Sequence, residues 1–361
     1  MAFENIIGQH RVRGFFEKAL QNGRISHAYL FVGERGVGKE AVAIELAKAL
    51  LCEKAGSCSP QPCPDCSRVA KLSHPDLHFV FPAPAKIKAD EQAEIVESVV
   101  INPYLRTERW ANPTISIDRI REIRRKSAYK SFEGRGRVVI IVDAERMSEE
   151  GANSILKILE EPPEKMYLLM TSSRPNLLLP TIASRCQVIK FEPLKEEEIE
   201  KALLDTQEIG AETARLTARL ASGSYRRAIE LLSEDLQEMQ ARSLEFFRKS
   251  VQDEFVQILY VEEILNAAQR DLKKVKDLLS FLQIWFRDAM LVRETDGQQE
   301  EYLIYAKDFD VLRNFLRKFP NADLYGAVRA IEDSLEQMNR NVQINLILIV
   351  LLNRLRTLIR S

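Results

Sequence analysis

The stretch of sequence that decides the fold is residues 28–40, AYLFVGERGVGKE. Its apolar start, Ala28–Val32, predicts a buried strand, and the apolar residues at helical spacing that follow predict a helix over Glu40–Leu51. Strand, glycine-rich turn, lysine and helix in this order are typical of a phosphate-binding loop of the form G-x-x-x-x-G-K-[ST]. The residues that match it are Gly33, Gly36, Gly38 and Lys39. Their backbone amides would converge on a phosphate, and the lysine would reach its terminal groups.

Two departures from the nucleotide-binding pattern predict a site that does not hydrolyse nucleotide. Glu40 stands where a Ser or Thr hydroxyl would hold Mg²⁺, and its negative charge would repel phosphates. The β-branched run Arg137–Asp143 predicts a strand whose last residue, Asp143, either organises a metal ion or only caps the strand. Ala144 then occupies the position of the carboxylate that would activate water. Glu145 lies one residue further on, where its side chain points elsewhere.

The remaining patterns predict an α/β module followed by helices. Alternating strand and helix signals predict a mostly parallel sheet that is covered on both faces. The further predicted strands are Asp76–Phe81 and Met166–Thr171, and the further predicted helices are Ala89–Val99, Ile117–Tyr129 and Ala152–Glu161. Residues 82–113 otherwise predict a surface excursion, and downstream of the last strand only helical periodicity remains, with a break at Ser222–Ser224. The expected domains are a P-loop α/β domain at 1–192, a small helical lid at 193–235 and an all-α domain at 236–361.

Charge and composition exclude some classes of protein. The 52 Lys and Arg residues against 53 Asp and Glu residues give a formal net charge of −1, which excludes a highly basic coat for nucleic acid but not a local basic surface. The longest apolar run, Leu346–Leu352, is far shorter than the roughly 20 residues that span a bilayer. The first residues also lack a signal-peptide pattern. We therefore expect a cytoplasmic protein with no membrane partner.

Four of the five cysteines lie close together and predict a structural Zn²⁺ site. They are Cys52, Cys58, Cys63 and Cys66, in the pattern C-x5-C-x4-C-x2-C. Four thiolates bind Zn²⁺ tetrahedrally with no open position, and the last two form a knuckle-type pair. Free thiols and two disulfides are the alternatives, of which a reducing compartment disfavours the second. His74 and His78 lie nearby in sequence but are surplus to a four-cysteine site.

The predicted helix over residues 117–130 carries a cluster of basic residues beside an apolar face of Ile117, Ile120 and Ile123. The basic candidates are Arg119, Arg121, Arg124, Arg125, Lys126 and Lys130. A solvated helix face is the ordinary explanation of such a cluster. Clustered Arg and Lys residues are also suited to bind the phosphates of a DNA backbone, because this attraction depends on charge and not on the base sequence. The sequence alone leaves the two alternatives even.

Several segments occur in an order that identifies a family. They are RISHAYLFVGERGVGKE, the four-cysteine loop, HPD at His74–Asp76, ANSILKILEEPP at Ala152–Pro163 and TIASRC at Thr181–Cys186. In this order they resemble the subunits of bacterial DNA polymerase III clamp loaders, which are AAA+ proteins. The resemblance covers Glu4–Leu232 by motif and the remaining chain only by its helical character. It implies an AAA+ P-loop module, a helical lid and a helical collar that joins sister subunits.

The resemblance also implies roles for single residues. Arg185 of the SRC segment matches the arginine finger that one subunit supplies to its neighbour's ATP site, where it stabilises charge that develops on the γ-phosphate. Its alternative role is to cap the end of the sheet. Thr171 matches the sensor of the γ-phosphate, and Arg226 matches the second sensor arginine. Because Arg226 is present, binding of ATP or ADP to the degenerate site stays open.

The degenerate nucleotide motifs resemble the delta-prime class of clamp-loader subunit more than the motor class. The implied function is a largely non-hydrolysing subunit that helps to load a sliding clamp onto primed DNA. Its implied partners are the motor subunits and the clamp-opening subunit of a five-membered ring, the sliding clamp and the backbone of primer–template DNA. A motor subunit of the gamma/tau type that hydrolyses ATP is the alternative, and a zinc-stabilised scaffold outside replication is the third reading.

Overall fold

The computed structural model of the chain describes residues 3–53, 58, 63–110, 112–127, 131–233, 235–268, 271–295, 303, 309–338 and 342–360. Its strands are β1 (Ala28–Val32), β2 (Leu77–Val80), β3 (Arg137–Ile141), β4 (Met166–Ser172) and β5 (Gln187–Lys190). Its first helices are α1 (His10–Gln21), α2 (Lys39–Leu51), α3 (Pro64–Ala70), α4 (Ala89–Ile101), α5 (Ile117–Ser127), α6 (Glu149–Glu160), α7 (Pro180–Ala183) and α8 (Glu196–Thr206). The later helices are α9 (Ala211–Leu220), α10 (Tyr225–Leu232), α11 (Leu236–Ser250), α12 (Glu254–Ala267), α13 (Leu272–Thr295), α14 (Phe309–Lys318), α15 (Leu324–Met338) and α16 (Ile344–Arg360). None of these helices is long and apolar enough to cross a membrane.

The strands form a parallel five-stranded sheet in the order β2-β3-β4-β1-β5. Parallel neighbours need crossover connections, and helices provide them here. Because all strands run the same way, the segments that follow β1, β3 and β4 meet at one edge of the sheet. These segments contain Gly33, Asp143 and Ser173. In such sheets ligands bind at the carboxyl ends of the strands, so the candidate nucleotide site is formed by this edge.

The four predicted strands are present, and β1 has the predicted bounds. β2 and β3 are shorter than predicted, ending at Val80 and Ile141, while β4 extends by one residue to Ser172. No pattern in the sequence predicts β5, because most of its residues are exposed and it lies at the edge of the sheet. An edge strand of this kind has no apolar run to mark it.

Local capping explains two differences among the helices. α3 was expected to be loop, but Cys63 caps it and Pro64 occupies its first turn, where a missing backbone N–H costs nothing. α6 begins at Glu149, earlier than predicted, because the Ser148 hydroxyl accepts a hydrogen bond from the Gly151 amide at 3.1 Å. The predicted end of α5 at residue 129 lies outside the described residues.

The chain packs into two compact units, residues 1–208 with 221–229 and residues 209–220 with 230–361. The first contains the sheet, one side of which is covered by apolar residues of α5 and α6 such as Ile120 and Ile155. The three-domain division at residues 192 and 235 stays a prediction, because two compact units do not by themselves separate a lid from its neighbours.

The second unit is helical and has an aromatic core. The rings of Trp285 and Phe315 have centroids 4.9 Å apart, and Phe247 packs 5.3 Å from Trp285. Phe246, Phe281 and Phe286 of this unit are fully buried as well. The side chains of Phe255 and Leu259 on α12 remain largely exposed, the first to 72%. The unit therefore has both a core of its own and uncovered apolar surface.

Candidate nucleotide site and arginine finger

The glycine-rich loop after β1 is packed against other atoms of the same chain. Gly36 has a φ of +77°, and a Cβ there would lie 2.3 Å from the Ser224 hydroxyl and 2.5 Å from the Cβ of Arg226. Gly38 has a φ of +101°, and a Cβ there would lie 3.1 Å from the ring of Tyr104. Both glycines thus occupy conformations that other residues rarely adopt. The space that they leave open is taken by protein.

Lys39 is buried and folds back onto the loop that precedes it. Its Nζ donates hydrogen bonds to the carbonyl oxygens of Gly33 at 2.7 Å and Glu34 at 2.5 Å. Burial lowers the pKa of Lys39 to about 8, although the negative charges of Glu40 and Asp143 oppose the shift. In a working phosphate loop this lysine reaches the terminal phosphates. Here its ammonium group is satisfied by the loop itself.

Glu40 and Asp143 are joined by an arginine that the sequence did not single out. The guanidinium of Arg106 pairs with a carboxylate oxygen of Asp143 through Nη2, and its Nε lies 3.4 Å from Oε1 of Glu40. All three side chains are largely buried, and that of Arg106 is only 5% exposed. Burial raises the pKa of Glu40, and Arg106 opposes that rise. A guanidinium therefore stands between the two carboxylates where a metal ion would otherwise be needed.

A second set of ion pairs closes the mouth of the site. Glu108 lies 2.7 Å from Nη1 of Arg35 and 3.0 Å from Nη1 of Arg226, so the predicted second sensor arginine is paired within its own chain. The cavity that remains among these residues is about 20 Å³, roughly the space for one water molecule. Among the described residues that line it, four are basic and three are acidic. Most of the positive charge of the site is thus neutralised without a phosphate.

The residues that fill the site come from residues 103–108, here called the plug segment. Its members Tyr104, Arg106 and Glu108 contact the loop, the strand-end carboxylate and the sensor arginine, respectively. The Tyr104 hydroxyl also accepts a hydrogen bond from the Ile7 amide at 2.9 Å. The sequence predicts this segment as part of a surface excursion, whereas in the structure it packs into the site. The available signal was Glu40 itself, because a carboxylate at the start of a buried helix requires a cationic partner.

Thr171 and Glu145, near the predicted nucleotide site, also form hydrogen bonds with residues of this chain. The hydroxyl of Thr171 accepts a hydrogen bond from the Asp143 amide at 3.2 Å and is buried. Glu145 accepts hydrogen bonds from the amide and hydroxyl of Ser173 at 3.1 and 2.9 Å. Burial opposes ionisation of Glu145, but these hydrogen bonds outweigh it and lower its pKa. This carboxylate holds the loop after β4, and Ala144 offers no base in its place.

Arg185 lies apart from the residues that line the closed site. It follows α7 in the turn before β5, and its Nη1 donates to the carbonyl oxygen of Thr181 at 3.1 Å. Its Nη2 lies 2.9 Å from Oε1 of Glu160, the last residue of α6. The side chain of Arg185 is 37% exposed. Burial raises the pKa of the adjacent Cys186 thiol to about 12, so this cysteine is an unreactive thiol at neutral pH.

The four clustered cysteines converge in the structure. Their sulfur atoms all lie within 4.8 Å of one another, with Cys52 Sγ 3.2 Å from that of Cys58 and 3.8 Å from that of Cys63. Four thiolates around Zn²⁺ with bonds of about 2.3 Å would lie about 3.8 Å apart. Burial opposes ionisation of the Cys63 thiol. Hydrogen bonds to its sulfur, including one from the Cys66 amide, outweigh this effect and bring the pKa of Cys63 to about 7. The group could therefore bind a metal, with the buried Cys52 and Cys66 as its inner members.

The basic residues of helix α5 are of two kinds: Arg119 contacts other residues of the chain, and the others are exposed to solvent. Arg119 donates to the Phe81 carbonyl oxygen at 2.8 Å and lies 5.6 Å from the centre of the Phe81 ring. Burial lowers the pKa of the Arg119 guanidinium. The exposed basic residues of the helix are Arg121, Arg124, Arg125 and Lys126. Lys130 lies outside the described residues.

The sheet order, the phosphate loop after β1 and the aspartate after β3 define the chain as an AAA+ P-loop protein. A family model described as "DNA polymerase III, delta subunit" matches residues 8–195. The chain belongs to this family, that of the DNA polymerase III clamp-loader subunits.

Individual relatives agree with this family. The DNA polymerase III subunit delta′ of Bacillus subtilis strain 168 is 26% identical over 337 residues, which cover 93% of this chain and 92% of that protein. The DNA polymerase III subunit tau of Escherichia coli K12 is 32% identical over 234 residues, which cover 63% of this chain and 32% of tau. A solved structure of a DNA polymerase III gamma-subunit-related protein from Thermotoga maritima matches with 18% identity and a TM-score of 0.39, covering 95% of this chain and 99% of that one. Since delta′ and tau are both similar to the chain, similarity alone does not separate the two classes.

Proposed function

We propose that the chain is a non-hydrolysing, delta-prime-class subunit of a DNA polymerase III clamp loader. In this role it supplies Arg185 to the ATP site of a neighbouring motor subunit and helps to load the sliding clamp onto primer–template DNA. The observation that carries the proposal is the self-filled P-loop site. Arg106 occupies the position between Glu40 and Asp143, and a cavity of about 20 Å³ cannot admit a nucleotide.

The charges at the site favour the same assignment over a motor subunit. A triphosphate needs uncompensated cations, and Lys39, Arg106 and Arg226 are each engaged by groups of this chain. Binding a nucleotide would break the buried ion pairs of Arg106 and the partly exposed pairs of Glu108, and would leave carboxylates facing phosphates. Hydrolysis would in addition need a base, and Glu145 is held by Ser173. The absence of a competent site points to a subunit that acts through its neighbours.

Arg185 is the group best suited to act on a neighbour. It is partly exposed, and a guanidinium has five N–H donors, of which the described contacts engage the two terminal nitrogens. A guanidinium that reaches a γ-phosphate stabilises the charge that develops during transfer. The partners of this role are the motor subunits and the clamp-opening subunit. The exposed apolar side chains of α12, Phe255 and Leu259, support a surface where sister subunits pack.

The four-cysteine group is proposed to hold a structural Zn²⁺ ion. Soft thiolate donors select Zn²⁺ over the hard cations Mg²⁺ and Ca²⁺, and four of them leave no open position for catalysis. The ion would tie the end of α2, through Cys52, to the start of α3, through Cys63 and Cys66.

Two measurements test the proposal. The isolated chain should show no nucleotide binding by equilibrium dialysis with radiolabelled ATP and no phosphate release. ATP turnover that Lys39→Ala abolishes would instead establish the motor-subunit alternative. In a reconstituted complex with motor subunits, opener, clamp and primed DNA, Arg185→Ala should preserve assembly but lower ATP turnover at the neighbouring site by about 10³-fold or more. Arg185→Lys should be almost as defective, because a lysine keeps the charge but lacks the planar fork.

A further inference from the structure

Glu160 makes the side-chain contact that orients Arg185. Its Oε1 lies 2.9 Å from Nη2 of Arg185, and the Thr181 carbonyl oxygen accepts from Nη1 at 3.1 Å. Two rigid elements thereby hold the two ends of the guanidinium, because Glu160 ends α6 and Thr181 lies in α7. The arginine side chain is long and flexible, and these two contacts together favour one orientation of its planar group.

The position of Glu160 is unfavourable for the helix that carries it. The carboxyl end of a helix has a partial negative charge that favours Lys or Arg, yet Glu160 ends α6 and Glu161 follows it. An ion pair between side chains that are 37% and 50% exposed contributes little to folding. Local stability therefore does not explain a carboxylate here. Departures of this kind are expected where a residue serves a site.

We propose that Glu160 is the positioning residue of the arginine finger. It rests on the finger role of Arg185 proposed above. Glu160 holds the guanidinium plane in place before the neighbouring subunit arrives, so that the N–H groups that Glu160 and Thr181 do not use meet the γ-phosphate already oriented. Orientation of this kind contributes to rate because less freedom is lost in the transition state, and misplacement of a reacting group by about 1 Å can cost 10²-fold.

The test uses the reconstituted clamp loader with motor subunits, opener, clamp and primed DNA. The measured quantity is the Arg185-dependent ATP turnover, which is the difference between the wild-type complex and the Arg185→Ala complex. Glu160→Gln should lower the kcat of this component about tenfold. The KM for ATP should stay unchanged, because the finger acts in the transition state and not on bound substrate. Glu160→Asp, which keeps the carboxylate, should recover part of the loss, and the neighbouring Glu161→Gln is the matched control with wild-type turnover.

A double-variant cycle separates positioning from a structural effect. Here the measured quantity is the total ATP turnover of the complex. In the Arg185→Ala background, Glu160→Gln should not lower it further, because the partner of Glu160 is absent. An equal loss in both backgrounds, or wild-type kcat in Glu160→Gln, would overturn the positioning role while leaving the finger role intact. Wild-type turnover in Arg185→Ala would overturn the finger role and the positioning role together. The melting temperature of Glu160→Gln should match that of Glu161→Gln.

Discussion

Replacement of Arg106 by alanine removes the cation that separates two buried carboxylates in the P-loop site. The guanidinium is 5% exposed and pairs with both Asp143 and Glu40. Removing one partner of a buried ion pair costs about 3–5 kcal/mol, because the other charge is left in a medium that solvates it poorly. Arg35 remains 3.7 Å from Asp143 and can compensate in part. We therefore expect a loss near the lower end, about 3 kcal/mol.

This loss translates into a measurable shift in melting temperature. For a unit of about 200 residues, 1 kcal/mol corresponds to about 2–4 °C, so Arg106→Ala should lower the transition of the sheet-containing unit by about 6–12 °C. Arg109→Ala is the matched control, because it removes an arginine three residues away whose 2.5 Å pair with Glu94 is about half exposed. Such a pair contributes about 0–1 kcal/mol, which predicts a shift below about 4 °C.

The destabilisation should also depend on pH with a definite sign. Burial raises the folded-state pKa of Glu40 above its unfolded value, and Arg106 opposes that rise. Removing Arg106 raises this pKa further. A carboxyl group with a raised folded-state pKa stabilises the fold most below its unfolded pKa and loses that contribution as pH rises through the folded-state value. The variant should therefore lose more stability relative to wild type at about pH 7 than at about pH 5.

The assay is thermal unfolding followed by circular dichroism at these two pH values, both below the titration of Lys39 near pH 8. If Arg106→Ala and Arg109→Ala melt within about 2 °C of each other at pH 7, Arg106 does not hold the buried carboxylates. A pH dependence of opposite sign would show that Glu40 is not the group left uncompensated.

Two further predictions concern the metal group and the basic helix. The wild-type chain should contain about one zinc ion per chain, as measured by plasma mass spectrometry. The variant in which Cys63 and Cys66 are both replaced by serine should contain less than about half of that. The control variant Cys186→Ser should have the zinc content of wild type. Replacing the exposed arginines of α5 with glutamate should lower the DNA-stimulated ATP turnover of the assembled loader several-fold. It should also reduce the slope of log affinity for DNA against log salt concentration by the equivalent of up to about three phosphate contacts. Those arginines are Arg121, Arg124 and Arg125. Unchanged DNA stimulation would remove α5 from the DNA path, and Arg242→Glu, on a helix of the second unit, is the control.

The parts of the fold that the sequence predicts are those determined by patterns of residues that are adjacent in the chain. Strand β1 and helix α2 follow from adjacent residues: β1 has the predicted bounds, and α2 begins at Lys39, one residue before the predicted start. Strand β5 was missed because its exposed edge position carries no apolar run. Helix α3 was missed because its seven residues, capped by Cys63 and begun by Pro64, are too few to show a helical period.

The closure of the P-loop site could not be predicted from local order. Arg106 and Glu40 are 66 residues apart in the chain, and no spacing rule connects them. Glu40 and Ala144 predict a defective site, but they do not predict which groups occupy it. In the structure, the plug segment brings its own cation and its own carboxylate into the site.

Loss of the motif hydroxyl and closure of the site are therefore separate properties. If the hydroxyl alone were returned by Glu40→Thr, Arg106 would keep its pairing with Asp143, and Tyr104 would still lie against Gly38. Glu108 would still join Arg35 to Arg226 across the mouth of the site. In the proposed non-hydrolysing subunit, we therefore expect nucleotide to be excluded by the packing of the plug segment. Glu40 supplies a second carboxylate partner for the buried Arg106. A site filled by its own chain in this way fits the proposed role, in which the chain acts on a neighbouring subunit through Arg185.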